Sequence, residues 1–214
     1  MAGEAPETHD AETTQDTESP QHTETDAAVE AAVQDVVDPA PATSVPPDTK
    51  DWTWVLERAC PQCGVDAGSL DPASLPAVIR ENAQAWLEVL GRDGVSGRRD
   101  PGVWSPLEYA CHVRDVHRVF DERLALMLDQ DDPRFENWDQ DVAAVEGRYG
   151  DAVPREVADE LLEAAERVAQ RFADVTDDQW SRTGRRSNGS VFTVATLGQY
   201  QAHDVLHHLW DVRD

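Results

Sequence analysis

The chain has 214 residues with 43 acidic and 18 basic side chains, and this net charge of −25 excludes the basic surface that nucleic-acid binding requires. It has no run of about twenty apolar residues, which excludes a transmembrane helix of the usual length. The three cysteines do not form a secreted disulfide framework and the acidic N-terminus lacks the apolar core of a secretion signal, so we expect a cytoplasmic protein.

Residues 1–50 differ in composition from the rest of the chain. They hold 12 acidic residues and one basic residue, with six prolines and no aromatic residue. Such a segment cannot bury enough apolar surface to offset the entropy lost on ordering, so we predict a disordered acidic tail over 1–49. All seven tryptophans follow it, which leaves one domain large enough for a single core.

A short preface over 50–71 contains the sequence C-P-Q-C-G, from Cys60 to Cys63 and the following glycine. This resembles one knuckle of a zinc ribbon, but a closed structural zinc site needs four ligands and the chain has no second C-x2-C. The third thiol, Cys111, is expected to be a small core residue. The knuckle is therefore interpreted as a half-site shared across a dimer, a redox-active pair or a structural turn.

Four amphipathic helical patterns follow, and together they predict an all-α four-helix bundle over 72–214. The first pattern covers 72–91. The second covers 106–129, and its start carries a capping box in which Ser105 caps the helix and Glu108 caps Ser105 in return.

The third pattern begins at Pro154 and continues to residue 174, with one continuous apolar face. The fourth begins near Thr193 and continues to the C-terminus. The dipeptide Asn188-Gly189 before it predicts a turn. No stretch alternates apolar and polar residues, so we expect no strand, and 134–150 is ambiguous.

Three histidines form a candidate metal site. His203 and His207 lie four residues apart, which places their imidazoles on one helical face. His112 points to the apolar side of the second helix. His117 lies about 140° from His112 on that helix, and His208 lies about 140° from His203 on the last helix, so both are expected outside. If the two helices pack together, three imidazoles leave one position of a divalent metal open, as in catalytic sites. The alternative is that each histidine is buried with one hydrogen bond.

The chain resembles the DinB-like (DinB/YfiT) superfamily over about 72–212, in the sequence W-S-P-L-E-Y-A-C-H that ends at His112 and in H-D-V-L-H-H from His203. That superfamily comprises four-helix bundles, among them YfiT-like metal hydrolases and the bacillithiol and mycothiol S-transferases. In its members a histidine of the second helix and an H-x3-H pair of the last helix bind a divalent metal, which implies His112, His203 and His207 as ligands. In its mycothiol-dependent maleylpyruvate isomerases the first residue of that pair is Glu, so His203 argues against that activity.

The resemblance implies transfer of a low-molecular-weight thiol such as mycothiol to a small electrophile, in stress or detoxification, with metal-dependent hydrolysis or non-catalytic metal binding as alternatives. Zinc, nickel or iron would suit imidazole ligands, and a homodimer is frequent in the family. Asp115, one turn from His112, is a candidate catalytic base or orienting residue, or a surface salt bridge. Arg182, Arg185 and Arg186 are candidates for anchoring an anionic thiol cosubstrate, or form a solvated loop.

Overall fold

The protein is described here by a computed structural model, over residues 45–213. Its helices are α1 (Leu75–Leu90), α2 (Pro106–Asp129), the short α3 (Gln140–Glu146), α4 (Pro154–Ala173) and α5 (Val194–Asp211). The four long helices confirm the predicted bundle, and α2 has both of its predicted ends. The disordered tail predicted over 1–49 lies outside the described residues except for 45–49. No helix within 45–213 is long and apolar enough to cross a membrane.

The long helices are arranged so that neighbours along the chain are not all neighbours in space. Helices α1 and α2 each pack against both α4 and α5, and they contact each other much less. They therefore lie on a diagonal of the bundle. Side chains with no exposed surface fill the centre between the four helices, among them Trp86, Leu107, Leu124, Leu161 and Val205.

The preface before α1 covers a further side of α5. Two 3-10 turns, Thr53–Leu56 and Ala67–Ser69, pack against this helix. The side-chain amide of Gln199 donates hydrogen bonds to the carbonyls of Gly68 and Leu70, at 3.2 and 2.8 Å. Helix α5 is thereby enclosed by α1, α2 and the preface, and its buried residues are spread around its circumference.

The expectation that the chain has no strand is wrong. Strands β1 (Arg134–Phe135), β2 (Thr183–Arg186) and β3 (Val191–Thr193) form a sheet in that order, with β1 parallel to β2 and β2 antiparallel to β3. Strands of two to four residues are too short to show the alternation by which a strand is recognised in sequence. The predicted turn between β2 and β3 is present, with Gly189 at a φ of +101°.

The capping box at the start of α2 is formed as predicted. The Ser105 hydroxyl accepts a hydrogen bond from the Glu108 backbone amide at 3.2 Å, and the Glu108 carboxylate accepts one from the Ser105 amide at 2.8 Å. Glu108 is also paired with the guanidinium of Arg98. Because Ser105 is fully buried, these bonds are shielded from water and fix the end of the helix that carries His112.

Replacing the cap tests this account. We expect Ser105→Ala to lower the free energy of unfolding by about 1 kcal/mol, because an amide at the helix end loses its partner. Denaturant unfolding would measure the change, with Ser96→Ala at an exposed loop position as the matched control, expected to change stability by less than about 0.5 kcal/mol. Equal effects of the two substitutions would contradict a stabilising cap.

Candidate metal centre

Helix α5 presents two pairs of metal-ligand side chains, each pair spaced by four residues and the two offset by one residue. That offset turns the second pair by about 100° around the helix axis, so each pair meets a different part of the fold. In each resulting group the candidate ligand atoms all lie within 4.8 Å of one another. The cysteine–histidine cluster is Cys60, Cys63, His203 and His207, and the His112 cluster is His112, Asp204 and His208.

The three histidines predicted to share one metal do not gather in one group. His203 and His207 face the preface, whereas His112 of α2 meets the adjacent face of α5, one residue further along the helix. The packing of α5 between α2 and the preface sets this rotation, and the apolar stripe of α5 alone does not reveal it. A metal role for the three histidines stays a prediction, now divided between two clusters.

Two histidines expected at the surface lie inside the fold. The side chain of His208 is only 18% exposed, and its ring centroid is 4.7 Å from that of His112. His117 is fully buried and its Nδ1 accepts a hydrogen bond from the amide of Gln201 at 3.0 Å. Burial lowers the pKa of His117 to about 4. The expectation for both was wrong because α2 and α5 each bury more than one face.

The His112 cluster is built by convergence on one carboxylate oxygen. Nε2 of His112 lies 3.2 Å from Oδ1 of Asp204, and Nε2 of His208 lies 3.6 Å from the same atom. His112 has no exposed surface, and its ring is stacked on Trp138 at 5.4 Å and contacts Trp104. The tryptophans hold the imidazole in place and keep water from its sides.

The donor set of the His112 cluster fits a divalent cation. Nδ1 of His208 lies 2.9 Å from the carboxylate of Asp211, which orients the ring so that Nε2 faces Asp204. Two imidazole nitrogens and one carboxylate oxygen are ligands suited to zinc, iron or nickel. Three protein ligands leave coordination positions free, as in catalytic rather than structural sites.

The charge states of His112 and Asp204 agree with this donor set. Burial lowers the pKa of His112, and the hydrogen bond to Asp204 opposes this only in part. Burial would raise the pKa of Asp204, but the hydrogen bond to His112 and the nearby imidazoles outweigh it and hold the pKa at about 2. At neutral pH His112 is therefore neutral and Asp204 is anionic, which are the forms that bind a metal ion. Burial would lower the pKa of His208, but its hydrogen bond to Asp211 and the charge of Asp204 outweigh this and raise it, so a metal at this site has to displace a proton from the ring.

The cysteine–histidine cluster joins the preface to α5. Sγ of Cys60 lies 3.7 Å from Nδ1 of His207, and Sγ of Cys63 lies 3.8 Å from Nε2 of His203. Sequence reasoning missed this partnership. The signal available was that C-x2-C and H-x3-H are the ligand spacings of Cys2His2 zinc sites, but here the two motifs stand 140 residues apart.

A cavity opens beside both clusters. Its inner part, about 70 Å³, is lined by the four cluster residues of α5 together with Asp48, Trp52, Gln140 and Tyr200. These last four also line an outer part of about 380 Å³. The outer part is bordered by four carboxylates against two cations. The charged residues are Asp48, Asp51, Asp139, Asp141, Lys50 and Arg186.

Only one of the three arginines predicted to anchor an anionic cosubstrate lines this cavity. Arg186 lies there, with its guanidinium 5.9 Å from the ring centroid of Tyr200. Arg182 donates hydrogen bonds to two carbonyls at the C-terminal end of α2, and Arg185 pairs with Asp132 at 2.6 Å. Arg182 and Arg185 thus fasten the loop before α5 to the end of α2.

Asp115, the predicted catalytic base or orienting residue, is part of an ion network. Its carboxylate accepts two hydrogen bonds from Arg114, at 2.8 and 2.9 Å, and one from the hydroxyl of Tyr149 at 2.6 Å. Arg118 donates a further bond. These contacts occupy both carboxylate oxygens and correspond to the salt-bridge alternative.

A four-helix bundle with metal-ligand side chains converging between its helices defines the class of protein. The family model of the DinB superfamily matches residues 75–212, and the chain belongs to this superfamily. Among solved structures, YfiT from Bacillus subtilis matches with a TM-score of 0.59 and 19% sequence identity, over 67% of this chain and 88% of that one. YfiT is described as a probable metal-dependent hydrolase with an unusual four-helix bundle topology. No curated protein matches the chain.

Removing the carboxylate charge at Asp115 tests its structural role. Burial would raise the pKa of Asp115, but its bonds from Arg114 and Tyr149 outweigh this and hold the pKa below the usual value. The carboxylate thus contributes stability above its unfolded pKa of about 4, and this contribution is lost as the pH falls through the lower folded pKa. We expect Asp115→Asn to cost about 1–3 kcal/mol at neutral pH, because Arg114 loses a charged partner.

Denaturant unfolding at several pH values would check this, since the difference between wild type and Asp115→Asn should shrink toward acid. The control is Glu163→Gln, which removes an exposed i,i+4 ion pair with Arg167 and should cost less than about 0.5 kcal/mol. A difference that is independent of pH would contradict the ionic role of Asp115.

Proposed function

We propose that the His112 cluster holds a divalent metal and that the protein uses it to activate a small nucleophile. The observation that carries this proposal is the approach of two imidazole nitrogens to one Asp204 oxygen, at 3.2 and 3.6 Å, beside a cavity that Asp204 and His208 line. Three ligands leave room for a further group, and zinc, nickel or iron would suit this donor set.

A bound divalent cation would lower the pKa of a coordinated thiol or water and so supply a nucleophile near neutral pH. The residues of this chain contribute position and charge. Asp204 adds a negative charge between the two imidazoles, and Asp211 fixes the ring of His208. Trp138 and Trp104 hold the ring of His112 against movement.

The first nucleophile that we propose is the sulfur of a low-molecular-weight thiol. Sulfur forms a new bond to the carbon of an electrophile, the leaving group departs with its electron pair, and the thiol proton passes to solvent. The four carboxylates around the outer cavity disfavour a thiol with several carboxylates of its own. They favour one whose polar part consists of sugar hydroxyls, which donate hydrogen bonds to carboxylates, and Arg186 is one of the two cations that line the same cavity.

Hydrolysis is the second candidate, with water in place of the thiol. The fold shared with YfiT, which is described as a probable metal-dependent hydrolase, favours it. The cluster would serve either nucleophile, because the three ligands stay the same and the cavity alone selects what reaches them.

Variants of the His112 cluster test the proposal. We expect Asp204→Asn and His112→Ala each to reduce metal affinity and turnover by more than roughly 100-fold, because loss of an outer-shell partner alone costs up to that amount. The assays are metal-dependent conjugation of mycothiol to monochlorobimane, and hydrolysis of a panel of esters and amides. Conjugation without hydrolysis supports the thiol transferase, and the reverse supports the hydrolase.

A matched pair of arginine variants examines the cavity. Arg186→Gln should raise the KM for the thiol several-fold, because it removes a cation from the cavity wall, whereas Arg185→Gln should leave kcat and KM unchanged. Equal effects of the two variants would place the thiol elsewhere. Metal binding with no turnover in either assay would contradict a catalytic role.

A further inference from the structure

We infer that the cysteine–histidine cluster is a second metal site, closed rather than catalytic, in which Cys60, Cys63, His203 and His207 bind zinc and fasten the preface to α5. This site is separate from the metal of the proposed function, since it uses other ligands on another face of α5.

The spacing of the donor atoms matches tetrahedral zinc. Zinc–sulfur bonds of about 2.3 Å and zinc–nitrogen bonds of about 2.0–2.1 Å, at tetrahedral angles, place sulfur and nitrogen about 3.6 Å apart. The two measured sulfur–nitrogen distances are 3.7 and 3.8 Å, one from each cysteine to a different histidine. The four donors lie within 4.8 Å of one another, and both cysteines are free thiols.

The turn that carries the cysteines is shaped to aim both sulfurs the same way. The backbone amide of Gly64 donates to the carbonyl of Cys60 at 2.8 Å, and the amide of Cys60 donates to the carbonyl of Val65 at 2.8 Å. Gly64 has a φ of +78°, a left-handed conformation that side chains other than those of Gly and Asn rarely adopt. A tight turn of this kind, closed on itself and facing two imidazoles, is the form of a zinc knuckle.

The donors of the cluster are mostly buried, although His203 and His207 also border the inner cavity. Cys60, His203 and His207 are buried, and the ring of Trp52 packs on both imidazoles, with centroids 5.8 and 5.3 Å away. Four protein donors fill a tetrahedral coordination sphere, which is the mark of structural zinc. Two thiolates among the four favour zinc over magnesium, calcium or manganese.

A closed site here would shape the cavity beside the other cluster. Trp52 and Asp48 belong to the segment that the knuckle holds in place, and both line the cavity. Nε2 of His207 also lies 3.8 Å from Asp211, the carboxylate that fixes His208 at 2.9 Å. Zinc at the cysteines would therefore act on the His112 cluster through position, without touching a substrate.

Metal content of the full-length protein tests this inference. After loading with zinc and removal of free metal, we expect two ions per chain in the wild type and one in each of Cys60→Ser and His112→Ala. Loaded with cobalt instead, the wild type and His112→Ala should show thiolate-to-cobalt charge-transfer absorption, and Cys60→Ser should lose it. The matched control is Cys111→Ser, a buried thiol outside the cluster, which should retain both ions and the absorption.

The outcomes separate the two proposals. If the wild type turns over substrate and His112→Ala does not, while both keep the cobalt–thiolate absorption, both proposals are supported. If the wild type itself shows no turnover but keeps this absorption, only the proposed function is contradicted. Unchanged zinc content and cobalt absorption in Cys60→Ser would overturn the closed site. If Cys60→Ser does not fold, the rate of alkylation of Cys63 in the wild type decides. Zinc should lower this rate at least tenfold, and a chelator should restore the rate of the metal-free protein. Equal rates with and without zinc would overturn the inference.

Discussion

The enclosure of α5 on several sides is the constraint on which both clusters depend. A helix with one buried stripe can offer one inward pair at i and i+4 spacing. Because α1, α2 and the preface all pack on α5, two pairs offset by one residue are both shielded from most of the solvent. Burial lowers the pKa of His203 to about 4, so its imidazole is neutral and its nitrogens need partners. The thiols of the preface and the side chain of His112 are the partners available on the two faces.

A single carboxylate connects the two faces. One oxygen of Asp211 lies 2.9 Å from Nδ1 of His208, and the other lies 3.8 Å from Nε2 of His207. Each of these nitrogens is the one turned away from its own cluster. The carboxylate is hydrogen-bonded to the ring of His208 and lies near the ring of His207, so its charge acts on one imidazole of each cluster.

Local signals in the sequence were sufficient for the four long helices, but not for the short α3 or for the site. The start of α2 follows from Ser105 and Glu108 and its end from the Asp-Asp-Pro sequence at 131–133, which act on neighbouring residues and need no knowledge of the fold. The face of α5 that meets His112 depends on the packing of a preface about 140 residues earlier. A hydrophobic stripe defines one mean direction of burial, and on a helix enclosed from several sides this direction no longer identifies which histidines are inside. His208 was misplaced for that reason.

The two clusters differ in donor chemistry, and this difference assigns them different tasks. Two thiolates and two imidazoles form a closed set suited to zinc, whereas two imidazoles and a carboxylate accept several divalent metals and leave positions free. A metal in the open set exchanges more readily because fewer and harder ligands hold it. The closed set can keep the preface in place while the metal of the open set binds and releases ligands. With zinc bound there, the cavity wall that includes Trp52 and Asp48 would stay in place while ligands exchange beside it, because a preface linked by metal opens locally less readily than one held by apolar contacts alone.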